Sequence, residues 1–176
     1  MNELVTTAQI STSWIESLAL EELNMDESGI VHFEDHLNPV HYLEEESIRF
    51  VSQIRDLCEV WVNRFNEYRG RNSDSSQIRL FKIAGTVNDF MLFRNSLRLI
   101  FARRANDLIS VGFLSSSGEI YPAKLFNQAQ NVRSAHEIRA HLGPFNNITW
   151  QFAGEPIEIE TMVKYYLTEF IRKSAK

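Results

Sequence analysis

The chain has one cysteine, seven glycines, four prolines and no Lys or Arg before residue 49 in its 176 residues. A single cysteine excludes an internal disulfide, and the position of Cys58 in an apolar helical pattern favours a buried structural thiol over a reactive one. The scarcity of Gly and Pro leaves one loop-like polar cluster, residues 70–77. No apolar run approaches the ~18 residues that span a bilayer, and residues 1–13 lack the features of a secretory signal. We therefore expect a cytoplasmic protein without a membrane span.

Charge is segregated along the chain. Residues 1–48 hold eleven Asp and Glu and no base, residues 49–104 hold eleven Lys and Arg against five acids, and residues 105–176 are balanced. This asymmetry indicates an acidic arm that contacts a basic surface, either the Arg-rich middle of the same chain or a partner protein. The candidate partner-binding residues are Glu44, Glu45, Glu46, Trp61 and Phe65.

Two helices are predicted before the polar cluster. The Ser-x-x-Glu pattern of Ser13 and Glu16 predicts a short helix that begins at Ser13 and is broken by residues 25–29. Asn38 and Pro39 are typical of a second start, which opens a long amphipathic helix over residues 38–69. Its apolar seam repeats at spacings of three and four and consists of Val51, Ile54, Cys58, Trp61, Phe65 and Tyr68. The seam predicts packing on the protein's own sheet, or pairing with a second copy as well, which would give a homodimer.

Strand patterns follow the polar cluster. Aromatic and aliphatic runs separated by turn residues predict an antiparallel meander of four strands, at 78–84, 90–94, 97–103 and 108–114. We then expect a helix over 124–142 that ends at Gly143 and Pro144, a short hairpin of 148–152 with 157–160, and a C-terminal helix over 161–173. The predicted fold is α+β in one domain: an acidic arm with a short helix (1–37), a long helix (38–69) and an α+β core (78–176) whose helices pack on the sheet.

Segment 32–36 brings two histidines and a carboxylate together. On a strand, His32, Glu34 and His36 share one face, and such a ligand set is typical of iron and zinc sites. A metal-dependent enzyme at these residues is therefore one hypothesis, beside a solvated acidic face and a pH-sensitive contact with a basic surface. His136 and His141 do not predict a second metal site, because five positions on a helix turn two imidazoles roughly 140° apart.

The Arg-rich middle suggests an anion site. Arg pairs with carboxylates or phosphates through two hydrogen bonds, and strand arginines beside Phe81, Phe93 and Phe101 could form a stacking surface for single-stranded nucleic acid. The candidate anion-binding residues are Arg94, Arg98, Arg103 and Arg104. Nucleic acid is nevertheless not favoured, because the net charge is −5 and the acidic arm competes for the same arginines.

The sequence contains no Gly-rich phosphate loop, nucleophile elbow or paired-cysteine knuckle, and residues 115–118 (SSSG) are typical of a turn. We expect a protein without a cofactor and favour a non-enzymatic role over an enzymatic one. The leading hypothesis is a protein-binding module of adaptor, chaperone-like or regulatory type that contacts a basic partner through its acidic N-terminal region and long helix. The alternative is an anion or nucleic-acid binder whose basic middle is screened by the acidic arm.

Overall fold

The computed structural model describes residues 11–30, 38–70, 77–115, 120–121 and 135–175. The chain forms two compact units, residues 1–38 and residues 39–176. The second unit consists of an antiparallel sheet with helices on one face. The α+β class is confirmed, with more strands than the four-stranded meander that was expected.

The first unit contains helix α1, Ser13–Ser28. The predicted start at Ser13 is confirmed, with Thr12 as the N-cap residue. The Thr12 carbonyl accepts hydrogen bonds from the amides of Ile15 and Glu16, and its hydroxyl donates to the Glu16 carboxylate over 2.8 Å. The helix ends within segment 25–29, as expected. It continues to Ser28, and Gly29 closes it with a φ of 67° and an N–H that donates to the Met25 carbonyl.

In the second unit, the apolar seam lies on helix α2, Pro39–Arg69, of 31 residues. Its inward face buries Phe50, Val51, Ile54, Cys58 and Val62. At its end the Asn66 side-chain amide donates to the Ile78 carbonyl over 2.9 Å and accepts from the Ile78 N–H over 3.0 Å. This pair of hydrogen bonds fixes the entry to the sheet against the last turns of the helix.

Eight strands form one antiparallel sheet in the order β1-β2-β3-β4-β6-β7-β8, and the short β5 pairs with β4. They are β1 Arg79–Lys82, β2 Phe90–Arg94, β3 Leu97–Ala105, β4 Leu108–Ser115, β5 Ile120–Tyr121, β6 His136–Leu142, β7 Ile148–Phe152 and β8 Glu155–Pro156. Turns of two residues join β2 to β3, β3 to β4 and β7 to β8. The β7–β8 turn has Ala153 and Gly154 at φ 51° and 85°, as hairpin turns of two residues require.

The prediction of a helix over 124–142 is wrong in the part of this range that the structure describes. Residues 122–134 lie outside the described part, and His136–Leu142 forms strand β6, paired with β4 and β7. The alternation explains this result: Ile138 is buried between exposed Glu137 and Arg139, which is the two-residue period of a half-buried strand.

The predicted hairpin of 148–152 with 157–160 is correct in its first strand and wrong in its second. Strand β7 has the expected bounds, but it pairs with β6 and with Glu155–Pro156 rather than with 157–160. The later segment starts helix α3, Ile159–Lys173, because the Glu158 carboxylate accepts a hydrogen bond from the Thr161 N–H over 3.2 Å and caps the helix.

Helices α2 and α3 cover one face of the sheet, here called the covered face. Phe50 of α2 stacks on Trp150 of β7 with ring centroids 4.4 Å apart, and Tyr166 of α3 meets Phe101 of β3 edge-on at 6.0 Å. Fully buried side chains from both helices and the central strands fill the core between them, among them Ile54, Phe90, Leu99, Phe101, Ile109, Phe113, Ile138, Val163 and Phe170. The other face of the sheet is called the open face.

Candidate functional site

The predicted metal residues His32, Glu34 and His36 lie outside the described residues. Within the described ranges, no group of three or more His, Cys, Asp or Glu side chains is placed to hold a metal ion. His136 and His141 lie on strand β6, where a spacing of five directs them to opposite faces. His136 Nδ1 lies 2.8 Å from the Tyr166 hydroxyl on the covered face, so this histidine has a structural contact.

The three consecutive glutamates near the start of α2, Glu44 to Glu46, lie on its first turns at the protein surface. Glu45 pairs with His41 over 3.2 Å, and Glu46 pairs with Arg49. Such exposed pairs within one helix contribute little to stability. Glu44 is exposed, and its carbonyl accepts a hydrogen bond from the Ser47 hydroxyl over 2.7 Å.

Trp61 and Phe65 are half-buried and pack against the core of their own chain. The Lys164 ammonium of α3 lies 5.7 Å from the Trp61 ring, and the Arg94 guanidinium lies 5.3 Å from the Phe65 ring. The exposed apolar residues in this part of α2 are instead Val60 and Tyr68.

The four candidate anion-binding arginines do not share a face. Arg94 is buried on the covered face, where Nη1 donates to the Ile171 carbonyl over 3.4 Å near the end of α3. Burial, with a smaller effect from the positive charge of Arg69, lowers the pKa of the Arg94 guanidinium. Arg103 is also directed to the covered face, where it donates to Asn106 over 2.9 Å. These two side chains fix turns and a helix end within the fold.

Arg98 and Arg104 lie on the open face. The Arg98 guanidinium lies 6.0 Å from the Phe93 ring, and Arg104 donates to the Ser110 hydroxyl over 3.0 Å. Arg79 shares this face, because it stands opposite Phe93 in the register of β1 with β2. Strands β1 to β4 contain six Arg and Lys and no Asp or Glu.

Helix α1 presents the most apolar surface outside the sheet. None of its 16 residues is buried. Five large apolar side chains are between 46% and 63% exposed: Trp14, Ile15, Leu18, Leu20 and Leu23. They alternate with Glu16, Glu21, Glu22, Asp26 and Glu27, and no base lies on the helix. A helix that is both acidic and apolar without burying either surface is a candidate contact element.

Cys58 has no chemical role in this arrangement. It is fully buried on α2, and burial raises the pKa of its thiol to about 12. Because the thiolate is the reactive form, this thiol is inert in the folded protein.

No known protein family matches the chain, and neither a curated protein nor a solved structure matches it. None of the helices in the described ranges has the length and apolarity needed to cross a bilayer.

Sequence reasoning missed the open face as a distinct surface. The runs of β2 and β3, FMLFR and LRLIFAR, are almost continuously apolar, which is typical of strands buried on both sides. Arg79 and Arg98 could have indicated this face, because charged side chains at alternate positions of apolar strands mark the side of the sheet that reaches solvent.

Proposed function

We propose that the chain is a non-enzymatic protein-binding module of adaptor or regulatory type that contacts a basic partner through helix α1. The observation that carries this proposal is that no residue of α1 is buried, although the helix has five large apolar and five acidic side chains on 16 residues. A helix with exposed apolar anchors can bind by inserting them into a groove of its partner.

The charge distribution supports a basic partner. Residues 1–38 hold eight Asp and Glu and no Lys or Arg, whereas residues 39–176 hold eighteen Lys and Arg and fifteen acids. A single-sign helix repels acidic surfaces and is attracted to Lys and Arg around a groove, which gives orientation and a faster association rate. Trp14, Ile15 and Leu18 lie within one turn and are the best anchors, since large aromatic and aliphatic groups carry most of the energy of such contacts.

The direct test compares full-length protein with a Trp14→Ser and Leu18→Ser variant in pull-downs from lysate of the source organism, followed by binding measurements with each recovered partner. We expect partners of basic surface to be lost with the variant, and their binding to wild type to weaken as salt rises. The matched control is Val60→Ser with Tyr68→Ser, which removes exposed apolar groups from α2. Retention of every partner by the α1 variant would contradict the proposal.

Removal of residues 1–37 gives a second test. The shortened chain should lose the same partners. If it instead gains salt-sensitive binding to an oligonucleotide, the acidic arm screens an anion site and the alternative hypothesis replaces this one.

The homodimer remains a prediction with a revised test. Since Trp61 and Phe65 pack on their own core, charging them would destabilise the fold as well as any dimer. Val60→Glu with Tyr68→Glu places charges on the exposed side of α2 instead. If α2 pairs with a second copy through this side, light scattering should show a dimer for wild type and a folded monomer for the variant.

A further inference from the structure

The open face carries an ordered patch of arginines and apolar side chains. In the strand register Phe93 of β2 stands between Arg79 of β1 and Arg98 of β3. One pair further along, Met91 stands between Phe81 and Ile100. These six residues on three adjacent strands are named the open-face patch.

The patch lies outside the hydrophobic core. Phe81 is 41% exposed, and Met91, Phe93 and Ile100 are partly exposed. None of the four belongs to the core cluster or packs against it. A contiguous apolar surface outside the core, with Arg side chains beside it, is typical of a binding surface rather than of a solvated sheet face.

The charge of the patch selects the partner. Arg79 and Arg98 are exposed and form no ion pair with another described residue of the second unit. The nearest acid on this face of β6, Glu137, is already paired with Arg139 over 2.6 Å. A ligand with carboxylates would therefore meet two exposed guanidinium groups, whose planar geometry suits bidentate hydrogen bonds.

The composition favours a protein over a nucleic acid. Protein interfaces are enriched in aromatic residues, Met and Arg at the centre, which are the residue types present here. The middle of the patch is aliphatic, at Met91 and Ile100, where a platform for stacked bases needs flat rings.

We propose that the open-face patch binds an acidic, apolar segment of a partner protein, with its apolar side chains on Met91, Phe93 and Ile100 and its carboxylates on Arg79 and Arg98. This site is additional to α1 and has the opposite charge preference. A module with both would bridge a basic and an acidic partner.

The test uses full-length protein and fluorescence anisotropy with three labelled probes: a synthetic peptide of Glu, Leu, Trp and Ala, the same peptide with Gln for Glu, and an oligothymidylate. We expect saturable binding of the acidic peptide and much weaker binding of the Gln peptide. Arg79→Glu with Arg98→Glu should lower the affinity for the acidic peptide by about 100-fold. Each lost hydrogen-bonded contact with a charged group lowers the affinity roughly tenfold or more.

Two controls separate the site from general electrostatics and from α1. Arg64→Glu with Arg172→Glu makes the same charge change at exposed helix positions and should leave binding unchanged within about twofold. The Trp14→Ser, Leu18→Ser variant should also bind the acidic peptide normally, so failure of the α1 proposal leaves this one intact. Phe93→Ser tests the apolar contact, and Met91→Ser replaces it if thermal melting shows that the Phe93 variant does not fold.

Three results would overturn the proposal. The first is no saturable binding of the acidic peptide by wild type. The second is an equal loss of binding in the Arg79, Arg98 variant and in the Arg64, Arg172 control. The third is tighter binding of the oligothymidylate than of the peptide, abolished by the same arginine changes, which would assign the patch to single-stranded nucleic acid.

Discussion

Helices α1 and α3 have 16 and 15 residues and are both rich in apolar side chains, yet α3 buries Val163, Tyr166, Leu167 and Phe170 while α1 buries none. The difference lies in arrangement. On α3 these residues recur at spacings of three and four and form one stripe against the sheet. On α1 the large apolar residues are distributed around the axis between acids. Apolar content alone therefore does not decide burial.

The two helices also differ in how charge meets the helix dipole. Helix α3 has Glu160 in its first turn, Arg172 and Lys173 in its last, and a Glu169–Lys173 pair of 3.3 Å. Helix α1 ends with Asp26 and Glu27 beside its negative end and has no base to compensate. Because isolated helices of about this length are marginal in water, we expect α1 to gain most of its stability from a bound partner.

The largest predicted effect tests the buried helix. Phe170→Ala removes a fully buried ring from α3 and should cost about 3–5 kcal/mol of unfolding free energy through lost burial and a residual cavity. Urea denaturation followed by far-UV circular dichroism measures it. A loss below about 1 kcal/mol would mean that α3 is not part of the cooperative core.

The next effect concerns the contact between α2 and the sheet. Asn66→Ala removes both hydrogen bonds to the Ile78 backbone and should cost about 1–3 kcal/mol, because Ile78 is buried and its polar groups lose their partner. The matched control is Asn63→Ala, at an exposed position on the same helix. Equal stability of the two variants in urea would show that water replaces Asn66.

A smaller, pH-dependent effect comes from the cap of α3. The hydrogen bond from the Thr161 hydroxyl, with a smaller contribution from backbone N–H groups, lowers the pKa of the Glu158 carboxyl. A lowered folded-state pKa stabilises the fold above the ordinary pKa of Glu, and this stabilisation is lost as pH falls through the folded value. Glu158→Gln should therefore lower the melting temperature near neutral pH and converge with wild type in acid. Glu155→Gln is the exposed control, and a difference that grows in acid would contradict the assignment.

The smallest predicted change in stability concerns α1, the exposed helix of the two. Trp14→Ser with Leu18→Ser on α1 should change the unfolding free energy by no more than about 0.5 kcal/mol, because both side chains are exposed. Calorimetry of the full-length protein measures this. A destabilisation comparable to that of Phe170→Ala would show that α1 belongs to the folded core, and the proposed docking role would be lost.

The sequence predicted the elements with a clear period. The seam of α2 and the strands β2 to β4 follow from spacing and turn residues alone. Strand β6 was missed because a helical pattern begun at residue 124 was continued across the alternation around Ile138. Strand β8 was too short to show a pattern at two residues.

The arrangement of the arginines could not be predicted without the strand register. Arg94 pairs with Leu97 across the turn at Asn95, which places Arg98 opposite Phe93 and directs Arg94 and Arg98 to different faces. A turn one residue longer would have placed them together. The open-face patch depends on this register over three strands, which a single sequence does not specify.

Because Asn66 holds Ile78, the length of the chain between them has little influence on the stability of the fold. Both ends of that connection are fixed by one side chain, and lengthening a loop whose ends are already held costs only about 0.6 kcal/mol per doubling. This connection is therefore a suitable place to insert an epitope tag or a fluorescent reporter.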